Sequence, residues 1–421
     1  DNGIGMNREE LIENLGTIAR SGTAAFVKQL ESKAEGANLI GQFGVGFYSA
    51  FMVAAKVEVS TRRAGEAQGW KWSSDGKGAF TIGEDDNAPA RGTRIVLHLA
   101  KGEEEYLDPL RIRQIVATYS DHIAVPVMLE SKKEDEQDET LNAASALWTR
   151  PKSEITEEQY KEFYHHVGHT FDDPWLRLHF KAEGVVEYTG LLFIPSAKPF
   201  DLFHPDRKAG VRLYVKRVII TDDCSELLPP YLRFLRGIVD TEDLPLNISR
   251  ELLQNNPRLA KIRGAICKKV LSELKKKAEK APEEYARFWE TFGAVLKEGL
   301  YEDGQQRESL LALARFRSTT REGLVSLADY VAAMKPGQEA IYTITGDDPD
   351  ALAKSPQIEG FAAKGIEVLL LSDPVDDFWL STVPDYDGKP FKSVTRGGVD
   401  LEKIGKADEE AQDTEAETEE T

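Results

Sequence analysis

The chain opens on a glycine turn that carries a single carboxylate, the hexapeptide DNGIGM at 1–6. Asp1 can accept a hydrogen bond from an exocyclic amine, and the two glycines let the backbone approach a flat ring because no Cβ stands in the way. A second glycine element, GQFGVG at 41–46, runs into an apolar, helix-compatible stretch at 47–55. Backbone N–H groups at the start of a helix attract anions. Together the two elements predict a nucleotide pocket with phosphates at the second one.

Either glycine element alone is a weak indication, because a glycine-rich turn is more often only a turn. The second element also lacks the GxGxxG spacing of dinucleotide-binding folds and the lysine followed by serine or threonine of P-loops. The sequence therefore disfavours both of these common nucleotide folds.

Four segments carry a resemblance to a known family. They are DNGIGM at 1–6, NLGTIARSGT at 14–23, GQFGVGFYS at 41–49 and GTR at 92–94. In order and spacing they resemble the ATP pocket of the heat-shock-protein-90 chaperones, which share a superfamily with gyrase-type ATPases, histidine kinases and MutL. The resemblance covers nearly the whole chain, since it continues through WTRPKS, LLFIP, LPLNISRELLQ and IYTITG at 148–153, 191–195, 244–254 and 341–346.

This resemblance implies a multidomain fold of mixed α+β and α/β class. A partial gyrase/histidine-kinase/MutL-type ATP-binding α/β sandwich is expected at 1–129. A charged linker should follow at 130–147, then a layered α/β middle domain at 148–395. That middle domain should contain a larger α/β part, a helical segment and a smaller α/β part. The acidic tail at 396–421 is expected to be disordered, because it has few large apolar groups.

The hydrophobic periodicity agrees with that division. Strands of one antiparallel sheet are predicted at 56–61, 69–73 and 93–99, with a helix at 110–120 and a closing strand at 124–129. Downstream, the patterns predict strands at 185–195 and 211–220, helices at 255–281 and within 282–315, and strands at 340–345 and 366–371. Glu9, Glu10 and Glu13 follow the first motif and are interpreted as residues of a helix start, where carboxylates favour the helix dipole.

The resemblance also implies which residues bind ATP. The implied nucleotide-binding residues are Asp1, Gly5, Met6, Asn14, Arg20, Gly41, Gly44, Gly46, Phe47 and Thr93. Asp1 would bind adenine directly and Thr93 through water, between apolar walls from Met6 and Phe47. Asn14 and Arg20 would approach the ribose and phosphates. Gly41, Gly44 and Gly46 would form the phosphate cradle. Arg20 stands where the family often has lysine, which keeps the charge and changes its geometry. Residues 18–40 resemble the mobile lid of the family.

Arg250 and Gln254 are the candidate catalytic residues of the second domain. The resemblance implies that the Arg250 guanidinium contacts the γ-phosphate, as an arginine finger does, with Gln254 beside it. In the family, the glutamate that activates water and the asparagine that holds Mg²⁺ lie upstream of DxGxG. The magnesium ligand is therefore expected outside this sequence, and none of the residues here is assigned to a metal.

The implied function is that of an ATP-dependent chaperone of the bacterial cytosolic type, with unfolded clients, clamp closure driven by ATP, and a homodimeric full-length protein. A monomer is expected for the chain as given. The alternative is a non-catalytic client-binding fragment. Candidate client contacts are Phe171, Trp175, Phe200 and Phe203, although aromatic residues in such positions are more often core residues.

Composition sets limits on the partners. The 421 residues contain 72 acidic and 53 basic side chains, a formal net charge of −19. This charge repels phosphate backbones, so nucleic acid is not an expected partner. The two cysteines lie far apart and no CxxC is present, which favours reduced thiols in the cytoplasm. No apolar stretch reaches the length of a membrane span.

Overall fold

The computed structural model describes residues 1–17, 20, 44–131, 137–245 and 250–396. Contacts within the chain divide it into two compact units. The first unit comprises Asp1–Ala146, Tyr214–Ile220 and Leu244–Ser249, and the second comprises Leu147–Leu213, Thr221–Asp243 and Arg250–Thr421. The domain boundaries given above stay predictions beside this division. Mixed sheets and helices in both units confirm the predicted α/β multidomain class.

The first unit is built on a four-stranded antiparallel sheet with strand order β3-β2-β1-β4. Its strands are β1 (Ala54–Arg62), β2 (Trp70–Ser74), β3 (Phe80–Glu84) and β4 (Gly92–Leu99). The predictions for β1, β2 and β4 are confirmed. Strand β3 was not predicted, because most of its residues are exposed and no buried face marks it in the sequence.

A small core covers this sheet beside the first motif. Helix α1 (Arg8–Leu15) is capped by the preceding residue, Asn7. The Asn7 side chain accepts a hydrogen bond from the Glu10 N–H, and the Glu10 side chain accepts one from the Asn7 N–H. Such reciprocal capping satisfies N–H groups that the first turn leaves unpaired. The buried residues of the core are Leu11, Ala54, Val57, Val59 and Trp72. The helix-compatible stretch after the second glycine element is a 3₁₀ helix, Gly46–Met52, and β1 follows it almost at once.

Helix α2 (Pro109–Tyr119) confirms the predicted helix at 110–120. The predicted closing strand at 124–129 is wrong except at its end, where β5 (Met128–Leu129) pairs with β6 (Glu139–Thr140). The buried Asn142 side chain explains the difference. It accepts from Val127 N at 2.8 Å and donates to Val125 O at 3.0 Å, so these backbone groups are satisfied without a strand partner.

A five-stranded sheet follows, with strand order β10-β9-β11-β8-β7. Its strands are β7 (Pro174–Ala182), β8 (Tyr188–Pro195), β9 (Val211–Val215), β10 (Val218–Thr221) and β11 (Arg236–Thr241). The single run predicted at 211–220 is therefore a hairpin. Its turn residues, Lys216 and Arg217, have φ of 50° and 67°, as a tight hairpin turn requires.

The helices between residues 157 and 313 are α3 (Glu157–Gly168), α4 (Arg250–Leu253), α5 (Pro257–Lys280), α6 (Pro282–Glu302) and α7 (Arg307–Leu313). Helices α5, α6 and α7 confirm the predictions at 255–281 and within 282–315, whereas α3 was not predicted. Helix α5 begins where Asn256 caps it and Pro257 takes the first position, which needs no N–H donor. The apolar residues that recur at helical spacing in this segment are all buried, namely Leu259, Ile262, Ile266, Val270, Leu271 and Leu274. Trp289 and Phe292 are buried on α6.

The remaining described residues form a smaller α/β part around a six-stranded sheet of order β13-β12-β15-β14-β17-β16. The strands are β12 (Arg315–Ser318), β13 (Val325–Ser326), β14 (Ile341–Thr345), β15 (Leu369–Leu371), β16 (Asp385–Tyr386) and β17 (Lys389–Ser393). The helices are α8 (Leu327–Ala332), α9 (Pro349–Leu352), α10 (Glu359–Ala363) and α11 (Asp376–Thr382). Strands β14 and β15 pair in parallel across a helical crossover, as the two predicted strands imply.

A buried ion pair joins α6 to α11. The Lys297 ammonium lies 2.5 Å from Asp376 Oδ1 and 2.7 Å from Asp373 Oδ2, and the side chains of Lys297 and Asp376 are only 4% and 1% exposed. Trp379 Nε1 also donates to Asp376 Oδ1 at 2.7 Å. Each charge is buried only because the other balances it.

Lys297→Met should therefore destabilise the second unit by about 3–5 kcal/mol, because it leaves the Asp376 carboxylate buried without its cation. Urea unfolding followed by tryptophan fluorescence measures the free energy of unfolding. The matched control is Lys269→Met on α5, which removes an i,i+4 partner of Glu273 and should cost about 0.5 kcal/mol or less. Equal losses in the two variants would contradict the structural role of the buried pair.

Glu58 on β1 is contacted by three basic side chains, one on its own strand and one on each neighbouring strand. Lys56 Nζ lies 2.8 Å away, Lys71 Nζ on β2 3.0 Å away and His98 Nε2 on β4 3.3 Å away. Hydrogen bonds from Lys56, then Lys71 and His98, lower the pKa of Glu58 from 4.5 to about 2.

Because this pKa is lower in the folded than in the unfolded chain, the contribution of Glu58 to stability is present above pH 4.5 and is lost as the pH falls towards 2. Glu58→Gln should thus lower the urea midpoint at pH 5, and the difference from wild type should disappear near pH 2. Glu84→Gln on the exposed β3 is the control, with no ion pair among the described residues. A Glu58→Gln difference that does not change with pH would contradict this origin.

Candidate nucleotide-binding site

The first motif lies against the start of β4. The Asp1 nitrogen donates to Thr93 O at 2.8 Å, and Thr93 N donates back to Asp1 O at 3.2 Å. Asp1 Oδ1 accepts from Gly3 N at 2.9 Å, which fixes the carboxylate across the turn. The other carboxylate oxygen has no hydrogen-bond partner among the described residues and is exposed. It is therefore available to an amine donor, as the sequence predicts.

Two glycines allow this close approach. Gly5 is buried with φ of 71°, and a Cβ there would lie 1.9 Å from Arg62 O at the end of β1. Gly92 has φ of 102°, and a Cβ there would lie 2.1 Å from Asp1 O. Both the left-handed backbone and the lack of space exclude larger residues. Gly5 thus shapes the turn, whereas Gly92 lets the Asp1 backbone lie on β4.

A buried threonine that the sequence analysis missed connects the motif to the sheet. Thr61 Oγ1 accepts from Met6 N at 3.0 Å, donates to Gly92 O at 2.9 Å and lies 3.0 Å from Thr93 Oγ1. Because its single proton is used on Gly92 O, the Thr93 hydroxyl must donate to Thr61. Thr93 therefore presents only acceptor lone pairs to a ligand. The available signal was a polar residue at a buried position of β1.

The two predicted apolar walls both pack against the core of the first unit. Met6 and Phe47 are partly buried there. The Phe47 ring meets the Trp72 ring edge-on at 5.6 Å between centroids. Trp72 Nε1 is buried and has no hydrogen-bond partner in the described parts of the chain. The packing against the core and the contact with the Trp72 ring fix the orientation of the Phe47 side chain.

The predicted phosphate end is described only in part. Gly44 has φ of 64°, and a Cβ there would lie 2.1 Å from Arg20 O, so Gly44 and the Arg20 backbone are in close contact. Gly46 begins the 3₁₀ helix, and a Cβ there would have no atom of a described residue within 4 Å. Arg20 forms an exposed pair with Glu13 at 3.7 Å. Asn14 lies in the last turn of α1.

Other parts of the candidate site cannot be placed. Gly41 and the lid at 18–40, apart from Arg20, lie outside the described residues. Arg250 begins α4, but its side chain also lies outside them. Gln254 is exposed in the turn after α4, followed by Asn255 with φ of 60°. The roles assigned to Arg250 and Gln254 stay predictions.

The described residues offer no metal centre. Among them, no group of three His, Cys, Asp or Glu side chains could hold an ion. Cys224 and Cys267 are buried free thiols, and burial raises their pKa to about 12 and about 11. Within the described parts of the chain, no helix combines the length and apolarity needed to span a bilayer.

Comparison with known proteins gives two family matches. The family described as "Histidine kinase-, DNA gyrase B-, and HSP90-like ATPase" matches residues 1–77, which include the Asp1 turn and the second glycine element. The family described as "Hsp90 protein" matches residues 130–421. The first match defines the class, an ATP-binding protein of the histidine kinase, gyrase B and HSP90 type. The second covers more than half of the chain, and the chain belongs to the Hsp90 family.

Three relatives named "Chaperone protein HtpG" illustrate the similarity. The chain is 64% identical to the one from Paramagnetospirillum magneticum over 417 residues, 99% of this chain and 66% of the relative. It is 60% identical to that of Rhodospirillum rubrum, with 97% and 65% coverage, and 57% identical to that of Roseobacter denitrificans, with 99% and 66% coverage. The chain thus spans about 66% of the length of these relatives.

The free oxygen of Asp1 gives a direct test of the site. Asp1→Asn in the full-length protein should weaken ATP binding by roughly ten- to over a hundredfold, because a charge-assisted hydrogen bond contributes about 1.5–3 kcal/mol. Isothermal titration calorimetry measures the Kd. The matched control is Asp85→Asn, since Asp85 Oδ1 accepts from Asn87 N at 3.0 Å in a similar turn away from the motif. Near-normal affinity in Asp1→Asn would remove Asp1 from the site.

Proposed function

We propose that the protein is an ATP-dependent molecular chaperone that holds unfolded proteins, with ATP binding and hydrolysis driving closure of a clamp. The observation that carries this proposal is the Asp1 carboxylate in a chain of the Hsp90 family. Its Oδ1 accepts from Gly3 N, its other oxygen has no partner among the described residues, and the Asp1 backbone pairs with Thr93 on β4. The match of residues 1–77 to an ATPase family favours an enzyme over a non-catalytic client-binding fragment.

Asp1 and Thr93 would recognise the base of ATP by complementary hydrogen bonding. Asp1 accepts from the exocyclic amine directly. Thr93 offers only lone pairs, because its proton is used on Thr61, so it reaches the same amine or a bridging water as an acceptor. Met6 and Phe47 supply the apolar contact to the ring. The glycines at 41, 44 and 46, with Asn14 and Arg20, would hold the ribose and phosphates.

Hydrolysis would depend on Arg250, with Gln254 beside it. A guanidinium is always charged and presents a planar fork of donors, which suits the charge that develops on a transferred phosphoryl group. We include Mg²⁺ as a cofactor of the full-length protein. The described residues do not form a site for it.

We further propose that the full-length protein acts as a homodimer in the cytoplasm, in protein folding and the stress response. The support is its membership of the Hsp90 family and its identity to proteins named as chaperones. Phe171 and Phe200 are fully exposed and are available to clients, whereas Trp175 stacks on Phe288 at 4.5 Å. Trp175 is thereby less suited to this role.

Arg250→Ala tests the hydrolytic part of the proposal. In the full-length protein it should lower kcat on the order of 10²- to 10³-fold, as expected when one donor to the developing charge is lost. ADP affinity should not change, because ADP has no γ-phosphate. Steady-state phosphate release and calorimetry measure the two quantities. Arg287→Ala, an exposed arginine on α6, is the control. Unchanged turnover in Arg250→Ala would remove this residue from catalysis.

A further inference from the structure

The second unit contains a cleft of about 600 Å³ at one end of the five-stranded sheet. Its walls come from the end of α3, the segment that follows β8, the start of β9 and the start of β11. A volume of this size is within the range of about 300–1,000 Å³ that is usual for ligand sites. All of its lining residues belong to the second unit.

The charges of this cleft do not balance. Its four cations are Lys198, Lys208, Arg212 and Arg236, and its three carboxylates are Asp172, Asp201 and Asp222.

Each of the three carboxylates already has an ion-pair or hydrogen-bond partner. Lys208 pairs with Asp222 at 3.4 Å, and Arg236 lies 3.7 Å from Asp201. Asp172 accepts from Tyr164, Thr170 and the backbone of Ser196 and Ala197. Among the described residues, neither Arg212 nor Lys198 has a carboxylate at ion-pair distance.

Neutral groups hold the Arg212 side chain in place. Its Nη2 donates to Val167 O at 3.4 Å and lies 3.3 Å from His169 Nε2. His169 ends α3 with φ of 49°, and burial and the neighbouring Arg212 lower its pKa, so the ring is uncharged near neutral pH. Among the described residues, these contacts supply no opposite charge to Arg212 and engage only one of the nitrogens of its guanidinium group.

The rim of the cleft adds an apolar surface. The Phe200 side chain is fully exposed, and the nearby Phe203 is about half exposed beneath the Lys198 ammonium, which lies 4.5 Å from the ring centroid. Phe171, between two lining residues, is also fully exposed. The cleft therefore has a net charge of +1, and two of its cations have no carboxylate at ion-pair distance among the described residues. They lie beside exposed aromatic rings, on a chain whose formal net charge is −19.

We propose that this cleft binds a short acidic segment of an unfolded client protein, with a carboxylate on Arg212 and Lys198 and an adjacent apolar side chain against Phe200. The guanidinium fork matches a carboxylate in two-point geometry. An aromatic ring at the rim gives contact area with little loss of side-chain entropy. The assignment rests on the proposed client-binding function and specifies which client segments are preferred.

Fluorescence anisotropy with a labelled peptide of alternating Asp and Leu measures this binding in the full-length protein. A second peptide with Asn in place of Asp keeps the shape and removes the charge, and it should bind at least about tenfold more weakly. Arg212→Gln and Lys198→Gln should each weaken the acidic peptide about tenfold. The matched control is Lys181→Gln, because Lys181 lies near the opposite end of β7 and pairs with Glu183 at 3.1 Å. Its affinity should equal that of wild type.

Two further variants separate binding from folding. Lys198 is exposed, so its replacement should leave the circular dichroism melting curve unchanged. Arg212→Lys keeps the charge and loses the fork, and it should give an intermediate affinity. Equal affinity for the acidic and amide peptides, or wild-type affinity in both glutamine variants, would overturn the proposal.

Suppression of aggregation of a heat-unfolded protein distinguishes this proposal from the function on which it rests. If wild type suppresses aggregation without binding the acidic peptide, the cleft proposal fails and the chaperone function stands. If it binds the acidic peptide through Arg212 but does not suppress aggregation, the ligand chemistry of the cleft stands and the chaperone function fails.

Discussion

The candidate nucleotide site depends on the hydroxyl group of Thr61, which connects the opening turn to the sheet. This one oxygen binds Met6 N, Gly92 O and the hydroxyl of Thr93. It therefore holds the turn against the start of β4. It also takes the proton of the Thr93 hydroxyl, so that Thr93 can act only as a hydrogen-bond acceptor towards a ligand. The hydroxyl is fully buried and has no remaining hydrogen-bonding capacity, so the geometry at Asp1 follows from the sheet.

Much of the fold could be predicted from the sequence where burial is one-sided. The alternation in β1 and the apolar face of α5 predicted these elements because each packs one face against a core. Strand β3 escaped prediction because it is largely exposed, and the strand expected at 124–129 failed because the Asn142 side chain satisfies the backbone instead. Periodicity contains no information about a side-chain partner that is distant in sequence.

The candidate site was predictable to a different extent. Asp1, Gly5, Met6, Phe47 and Thr93 came from motif resemblance, and the structure brings them together around the end of one sheet. Thr61 was not found, because an isolated threonine in a strand has no pattern of its own. The unpaired charge of Arg212 among the described residues could not be predicted from the sequence either. Whether this charge is paired depends on neighbours from separate segments of the chain, which come together only in the folded protein.

The position of the two thiols has a practical consequence. Cys224 and Cys267 are both buried in the second unit, and their raised pKa keeps them protonated and unreactive at neutral pH. No other cysteine occurs in the chain. A thiol-specific reagent would therefore modify the protein only when the second unit opens, while events confined to the first unit would pass unlabelled. The rate of thiol labelling therefore reports the rate at which the second unit opens.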